Sequence, residues 1–333
     1  MTTNKPVASL SLDLDNQWSY MKTHGDSGWE TFPSYLDIVV PRVLNFLKER
    51  GLKITFFVVG QDASLQKNFK AIRSIADAGH EIGNHSFNHE PWLHLYSEQQ
   101  IEDELAKAEG YIEQATGQKT IGFRGPGYSL SLSVLHVLAR RGYSYDASTL
   151  PTFLGPLARA YYFMTTKLSP EEKETRKRLF GGVRDGLRPI RPYRWQLEGF
   201  TDQLIEIPVT TMPLFRVPFH VSYILYLSRF SPFLAKLYFR MAMKLCQLSR
   251  ISPSLLLHPL DFLGGDDVKE LSFFPAMDLP GEKKVKFVGE ILDIYSKYFT
   301  IVPIKEHARA IAKEKNIMRF EPRFQSAENI PAS

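Results

Sequence analysis

Short apolar runs alternate with amphipathic stretches through the first half of the chain. Each apolar run has the length of a buried strand, and the stretches between the runs repeat their apolar positions at helical spacing. The predicted strands are VASLSLDLD, ITFFVVG, GHEIGNH, TIGFRGP and YSYDAS, and the predicted helices span 41–50, 67–78, 98–116 and 132–141. Such alternation favours a parallel sheet with helices outside it, either doubly wound or closed as a barrel.

The second half of the chain breaks this rhythm twice. Residues 151–199 are rich in Pro, Gly and Arg, whereas residues 212–252 combine aromatic with basic residues and contain no acidic residue. Strand patterns return at LIEIPVT, SLLLHPLDF and FTIVPI. We therefore interpret the two irregular segments as insertions into the α/β pattern.

Composition narrows the class of protein and its compartment. With 333 residues, 44% hydrophobic and 23% charged, the chain is that of a folded globular protein, and its length fits one domain or two. Cys246 is the single cysteine, which excludes an internal disulfide and a cysteine-based metal site. No apolar run reaches the ~18 residues that span a bilayer. The first predicted strand leaves no room for a signal peptide before it, so we expect a cytoplasmic protein.

Polar side chains that suit a hydrolytic metal site follow the predicted strands. Asp13 and Asp15 are two residues apart on one strand, so both point to one face and could share a metal and its water. His85 and His89 are four apart and could converge on one ion from a helical turn or a compact loop. Each pair alone also fits solvated carboxylates or surface histidines, but one carboxylate with two imidazoles suits a hydrolytic zinc.

Two further candidates are predicted at the same edge of the sheet. Arg124 follows the strand IGF, and His258 ends the apolar strand SLLL before Pro259. Barrel enzymes carry their catalytic groups at the carboxyl ends of their strands. By themselves these two residues could equally be an arginine beside a turn and a hydrogen-bonded core histidine.

Taken in order, SLDLD, GHEIGNHSFNH, FRGPGY and LLLHP resemble the motifs of the polysaccharide deacetylases, carbohydrate esterase family 4. The resemblance implies an α/β fold, a distorted (β/α) barrel of about seven or eight strands. It implies a single domain over 1–333, with 151–199 and 212–252 as helical insertions that form a basic, aromatic cap. The cofactor implied is Zn²⁺ or another divalent transition metal.

The resemblance also implies a role for each candidate in the metal-dependent hydrolysis of an N-acyl group from an amino sugar, with N-acetyl as the first candidate for that group. Asp15, His85 and His89 would hold the metal. The catalytic group would comprise Asp13 as base, Arg124 as the residue that orients it, and His258 as the acid that protonates the leaving amine.

Three more residues are candidates for substrate binding. Tyr128 offers its backbone N–H to the tetrahedral oxyanion, and Trp18 could either contact the substrate or pack as a rim side chain. Asp146 lies where the family places a carboxylate that tunes the acid histidine. The sequence departs from the family pattern where Leu14 separates the two aspartates and where Gly127 precedes the tyrosine.

Charge and aromatic content point to the substrate. The basic, aromatic segment 212–252 is typical of interfacial helices on an anionic membrane, or of a cap packed over the barrel mouth. Arginines in 151–199 suit a phosphate or diphosphate. We therefore expect a lipid-linked amino sugar and a position at the inner face of the membrane. Nucleic acid is not expected, because no recognition motif accompanies the charges.

Three alternatives stay open. The chain could be a deformylase of a polyprenyl-phosphate-linked formamido sugar, which differs in the acid that it releases. It could be a cytosolic amidase acting on a small ring amide, whose activity would not depend on lipid. It could also be a non-catalytic module that binds carbohydrate or membrane, although such a module has no need to keep both a base and an acid.

Overall fold

A curved ten-stranded sheet lies at the centre of the computed structural model, which describes residues 5–155, 186–200, 204–322 and 324. The strands are β1 Val7–Asp13, β2 Thr55–Val58, β3 Glu81–Asn84, β4 Gly122–Phe123, β5 Tyr145–Asp146, β6 Tyr193–Trp195, β7 Ile205–Glu206, β8 Ser254–Leu257, β9 Thr300–Val302 and β10 Arg319–Phe320. Their order is β10-β6-β7-β5-β4-β3-β2-β1-β8, and β9 pairs with β1. These pairings are parallel except for that of β6 with β7.

Strand β1 shows why its sequence gives a site as well as a core. Successive side chains of a strand point to opposite faces. Leu10 and Leu12 are fully buried in the main hydrophobic cluster, whereas Ser11 and Asp13 lie on the other face, where both contact Arg124. The alternation of β1 therefore separates the apolar packing layer from the polar interior of the curved sheet.

Strand β8, at one end of the strand order, approaches the segment that follows β7. The backbone N–H of Thr210, which follows β7, donates to the carbonyl of Ser254 at 3.1 Å. The N–H of Ser254, the first residue of β8, donates in return to Thr210 Oγ1 at 2.8 Å. The sheet is therefore curled towards closure, which brings the carboxyl ends of its strands around one shared mouth.

Helices pack outside the sheet. They are α1 Gln17–His24, α2 Leu36–Glu49, α3 Gly60–Ser64, α4 Gln66–Asp77, α5 Glu98–Thr116, α6 Leu132–Arg140, α7 Val221–Ser228, α8 Pro232–Leu248, α9 Gly281–Tyr298 and α10 Ile304–Ala312. The boundaries of α5 follow from its caps: Ser97 forms a capping box with Gln100, and Gly117 ends the helix at a φ of 72°. None of the helices among the described residues combines the length and the apolarity needed to cross a membrane.

The expected α/β barrel-type fold is confirmed, with three differences in detail. Ten strands pair rather than seven or eight. Helix α2 begins at Leu36, so Pro41 lies inside it rather than in its first turn, because Leu36, Val39 and Val40 extend the buried face in front of the proline. Strand β6 arises inside the segment 151–199, which we interpreted as an insertion throughout.

The two predicted insertions differ in what the structure shows. Most of the first, residues 156–185, lies outside the described residues. The second, 212–252, contains the helices α7 and α8, which pack against each other and against α9. Helix α7 also packs against β8, so this segment is built onto the wall of the curved sheet.

Candidate active site

The predicted site residues gather at the carboxyl ends of neighbouring strands. Asp13 ends β1, and Asp15 follows it by two residues. His85 follows β3, Arg124 follows β4, and His258 follows β8 directly. Because Leu12 is paired with Leu257, Asp13 and His258 emerge side by side from adjacent strands.

Three of these side chains form a cluster with the donor set of a metal site. The Nε2 atoms of His89 and His85 lie 3.0 and 3.3 Å from Asp15 Oδ1. One ligand atom from each residue lies within 4.8 Å of the others. The sequence-based grouping of these three residues thus corresponds to a real cluster in space.

Charges within the cluster are coupled. Burial alone would raise the pKa of Asp15, but the adjacent imidazoles of His89 and His85 outweigh burial and hold this pKa well below its ordinary value. Burial lowers the pKa of His85, yet Asp13 and Asp15 together raise it above its ordinary value. The protein therefore places the carboxylates of Asp13 and Asp15 close to the imidazole of His85, which concentrates negative charge where a cation would sit.

The cluster fits a divalent transition metal. His85 Nδ1 lies 2.6 Å from the backbone carbonyl of Arg124, so this nitrogen carries the proton and Nε2 is left as the ligand atom. The hydroxyl of Tyr35 donates to the backbone carbonyl of Asp15 at 2.6 Å, which holds the backbone from which the carboxylate extends. Ligands held in this way by a second layer of hydrogen bonds are a common feature of metal sites.

The loop that carries both histidines is held by a residue that the sequence interpretation missed. The Glu104 carboxylate on α5 accepts the backbone N–H groups of Phe87 and Asn88 at 3.0 and 2.9 Å. His89 has a φ of 52°, an uncommon conformation for a non-glycine residue that such bonds can sustain. The sequence signal that could have identified Glu104 is its position among the apolar residues of one helix face, beside Ile101, Leu105 and Ala108.

Asp13 is anchored from a different direction. Arg124 is completely buried, and its Nη1 atom donates to Asp13 Oδ1 at 2.7 Å and to Ser11 Oγ at 2.9 Å. Its Nε atom donates to the carbonyl of Ala147 at 2.9 Å. The two aspartates are thus in different surroundings, one beside imidazoles and the other on a guanidinium.

His258 has polar neighbours of its own. Ser222 Oγ on α7 lies 2.9 Å from His258 Nδ1. The ring of His220 stands edge-on to that of His258, with 6.2 Å between the centroids. Burial and the neighbouring His258 lower the pKa of His220 to about 3, so His220 is neutral near physiological pH.

Trp18 does not lie where the sequence interpretation placed it. The side chain is buried, and its indole N–H donates to Asp62 Oδ1 at 3.0 Å. Its ring packs edge-on against Phe32 and against the imidazole of His89. This packed position behind the metal-binding cluster does not agree with a substrate contact at the rim.

Tyr128, the second substrate-binding candidate, has its backbone N–H engaged in a local hydrogen bond. The backbone N–H of Tyr128 donates to the Gly125 carbonyl at 2.9 Å, so it is engaged inside the turn and does not fit the predicted oxyanion donor. Burial and Asp13 raise the pKa of the Tyr128 hydroxyl, which stays protonated as a donor.

Asp146 is part of a separate buried pair. Burial, followed by the neighbouring Glu206, raises the pKa of Asp146 well above its ordinary value. Ser148 donates to Asp146 and accepts the N–H of Gly125 at 2.8 Å. These contacts link Asp146 to the turn after Arg124 and not to His258.

Comparison with known proteins identifies the family. The family model described as polysaccharide deacetylase matches residues 22–145. A peptidoglycan deacetylase of Helicobacter pylori is 30% identical over 201 residues, which are 58% of this chain and 66% of that protein. The chain belongs to the polysaccharide deacetylase family.

Solved structures agree with this polysaccharide deacetylase fold. A Mycobacterium smegmatis protein assigned as a polysaccharide deacetylase has a TM-score of 0.64 at 19% identity, covering 98% of this chain and 97% of that one. A Pseudomonas aeruginosa protein assigned likewise has a TM-score of 0.58 at 17% identity, covering 93% and 91%. At these identities the likeness concerns the fold alone.

The relation to the curated relatives covers only part of those proteins. The chain spans less than two thirds of the length of the first curated relatives that it matches. The family model ends at residue 145, so His258, Ser222 and the helices α7 and α8 lie outside the matched range.

Proposed function

We propose that this chain catalyses a metal-dependent hydrolysis that removes an N-acyl group from an amino sugar of a polysaccharide. N-acetyl is the first candidate for this acyl group. The observation that carries this proposal is the arrangement of two differently anchored aspartates. Asp15 lies within 3.3 Å of both imidazoles, and Asp13 lies 2.7 Å from Arg124. The Helicobacter pylori relative, named as a peptidoglycan deacetylase, supports the substrate class.

Asp15, His85 and His89 would hold the metal. When bound there, a divalent ion polarises the amide carbonyl and lowers the pKa of a water molecule. Zn²⁺ suits this ligand set, and several other first-row ions accept it too.

The remaining residues of the chain would move protons. Asp13 would accept a proton from the attacking water, because Arg124 keeps its carboxylate fixed beside the cluster without filling both of its oxygens. His258, at the end of the neighbouring strand, would donate a proton to the leaving amine nitrogen. An amine departs readily only when protonated, so the acid is as necessary as the base. The Tyr128 hydroxyl would donate a hydrogen bond to the substrate.

Release of a small acid tests this proposal directly. Zinc-loaded protein is incubated with peptidoglycan fragments, chitooligosaccharides and a bacterial lipid extract, and acetate and formate are quantified by proton NMR. Asp15→Asn and His258→Gln should release at least a hundredfold less acid, whereas Asp293→Asn, on the exposed face of α9, and His136→Gln, on α6, should match the wild type.

The identity of the acid separates the candidate functions. Acetate supports the deacetylase, and formate in its place supports the deformylase alternative. If the wild type releases no acid from any of these carbohydrates, the proposal is wrong, and a ring amide substrate or a non-catalytic binding module takes its place.

A lipid-linked substrate is a second candidate, which one observation favours. Six apolar side chains on and just before α8 are each at least 49% exposed. This set, which we call the α8 stripe, repeats at helical spacing and consists of Phe230, Phe233, Leu234, Leu237, Met241 and Leu248. Arg240 and Lys244 are exposed on the same helix. Apolar and cationic side chains in this combination suit an anionic membrane surface.

The stripe starts on the side of the molecule that carries the site. Helix α8 runs beside α9 in the same direction, because Arg229 pairs with Asp278 near the start of both and Gln247 bonds to Tyr298 near their ends. Helix α9 leads into the first residue of β9, so both helices begin at the edge where the strands end. A membrane contacted by Phe230 and Phe233 would therefore lie on the catalytic side.

Vesicle binding tests the second candidate. The wild type should sediment with phosphatidylglycerol vesicles but not with phosphatidylcholine vesicles, and Phe230→Ser/Phe233→Ser should lose this binding. Leu95→Ser/Met318→Ser, which removes exposed apolar side chains elsewhere, is the matched control. Equal binding by all variants, or a stripe buried in a dimer as measured by light scattering, would contradict membrane contact.

A further inference from the structure

The imidazole of His258 is held by a side chain that lies outside the motifs. Ser222, the second residue of α7, places its Oγ atom 2.9 Å from His258 Nδ1. Helix α7 belongs to the segment 212–252, which carries none of the motif residues. The nitrogen on the other side of the ring, Nε2, is the one left for the reaction.

Asp261 extends this contact. The Ser222 hydroxyl lies beside the Asp261 carboxyl group, which is buried. Asp261 Oδ2 also accepts the backbone N–H of His258 at 2.8 Å. The buried ammonium of Lys284 donates to the carbonyl of Leu260 at 2.9 Å and faces the same carboxyl group. The carboxyl group is thus fixed with respect to the histidine from several directions.

The number of available protons determines the direction of these bonds. A serine hydroxyl has one proton to donate, and a carboxylate can only accept. When Ser222 donates to Asp261, its oxygen is left as an acceptor for the Nδ1–H of His258. The bond made by one ring nitrogen decides which nitrogen is protonated in a neutral imidazole.

We propose that Ser222 and Asp261 are positioning residues that keep the proton of neutral His258 on Nδ1 and present Nε2 to the leaving group. Nε2 then takes up a proton to form the acid and gives it to the amine nitrogen, and His258 returns to the same neutral tautomer. This inference rests on the proposed function, since it specifies how the candidate acid is prepared.

Asp146 cannot fill this position in the present chain. Its partners are Ser148 and Glu206, and neither connects it to His258. Asp261 follows His258 by only three residues in HPLD, so the carboxylate and the acid lie on one short segment after β8. Ser222 is what connects them through side chains.

The tautomer can be measured without any substrate. Zinc-loaded protein labelled with ¹⁵N-histidine is studied by long-range ¹H–¹⁵N NMR at a pH where His258 is neutral, and His258→Gln identifies its signals. We expect the Nδ1–H pattern in the wild type and in Ser222→Thr, which keeps the hydroxyl. Ser222→Ala should shift the signals towards the Nε2–H form, and Ser228→Ala, the same change elsewhere on α7, should not. A wild-type Nε2–H pattern, or no change in Ser222→Ala, would overturn the inference.

Kinetics then connect the tautomer with the reaction. Ser222→Ala should lower kcat by about tenfold or more with KM unchanged, since it affects the acid rather than substrate binding. A normal kcat in a variant with an altered tautomer would also overturn the inference. If no substrate is turned over by any form, the proposed function fails, while the NMR result still decides the placement of the proton.

Discussion

Arg124 donates a hydrogen bond to Asp13 at 2.7 Å, and both side chains are shielded from bulk water. The guanidinium also bonds to Ser11 and to the carbonyl of Ala147, and it lies 4.5 Å from the centre of the Phe57 ring. A buried charge is tolerated only when it is paired and hydrogen-bonded. The pairing of Arg124 with Asp13 therefore stabilises the fold and also holds the proposed base in place.

Replacement of Arg124 should affect stability and activity together. Arg124→Met leaves Asp13 buried without its counter-charge, so we expect the free energy of unfolding in urea to fall by about 3–5 kcal/mol. Activity should fall below detection, because the base is no longer held. Arg73→Met removes an exposed cation paired with Asp77 and should cost less than about 1 kcal/mol. Equal effects of the two substitutions would contradict the structural pairing.

No side chain larger than the hydrogen atom of glycine fits at Gly125. A Cβ atom added there would lie 2.1 Å from the backbone carbonyl oxygen of Ser129. Gly125→Ala must therefore displace the turn that follows Arg124, and we expect a loss of about 1–3 kcal/mol together with lower activity. Gly110→Ala is the matched control, because a Cβ in this exposed part of α5 meets nothing within 4 Å. It should stabilise the protein by about 0.5–1 kcal/mol, because alanine favours helix more than glycine.

Asp62 should make stability depend on pH in the direction opposite to most carboxylates. Burial raises its pKa to about 7, although Asn16 and Trp18 donate to it. A folded pKa above the unfolded value means that stability is full below about pH 4 and falls as the pH rises towards 7. The total loss is on the order of 4 kcal/mol.

Asp62→Asn should remove this pH dependence in metal-free protein. The amide keeps the oxygen that accepts from Asn16 and Trp18 and never ionises. Urea unfolding near pH 4 should give similar stabilities for wild type and variant, whereas near pH 8 the variant should be the more stable. Asp293→Asn, an exposed carboxylate on α9, should show no such difference. A variant that is less stable near pH 8 would contradict the raised pKa.

The parts of this structure that could be predicted are those that depend on the local pattern of apolar and polar residues. Asp13, His85, Arg124 and His258 each follow a short apolar run, and parallel strands bring such positions to one edge. The spacing of His85 and His89 likewise predicted a shared ion, and the structure brings both to Asp15.

The rest depended on partners that periodicity does not reveal. Trp18 looked like a rim residue because nothing near it in sequence indicates Asp62, which reaches it from the short helix α3 after β2. Tyr128 looked like an oxyanion donor because the extra Gly127 gives no sign that the turn would engage its N–H. Ser222 meets His258 only through the packing of α7 on β8.

Glu104 is the residue through which the metal site depends on α5. Its carboxylate accepts two backbone N–H groups, of Phe87 and Asn88, and also the side-chain amide of Asn88, all between the two candidate ligands. A glutamine has one oxygen and cannot accept all three. The loop would then relax, and His89 would lose the left-handed conformation that directs Nε2 to Asp15.

Glu104→Gln should therefore weaken metal binding without unfolding the chain. We expect the Kd for Zn²⁺, measured by competition with a chromophoric chelator, to rise by about 10–100-fold, as when second-layer partners of metal ligands are lost. Glu113→Gln, on the exposed face of the same helix, should leave the Kd unchanged. Circular dichroism establishes that both variants keep their helices. If Glu104→Gln binds zinc as tightly as Glu113→Gln, the loop holds its conformation without this carboxylate, and the geometry of the cluster depends on Tyr35 and Arg124 instead.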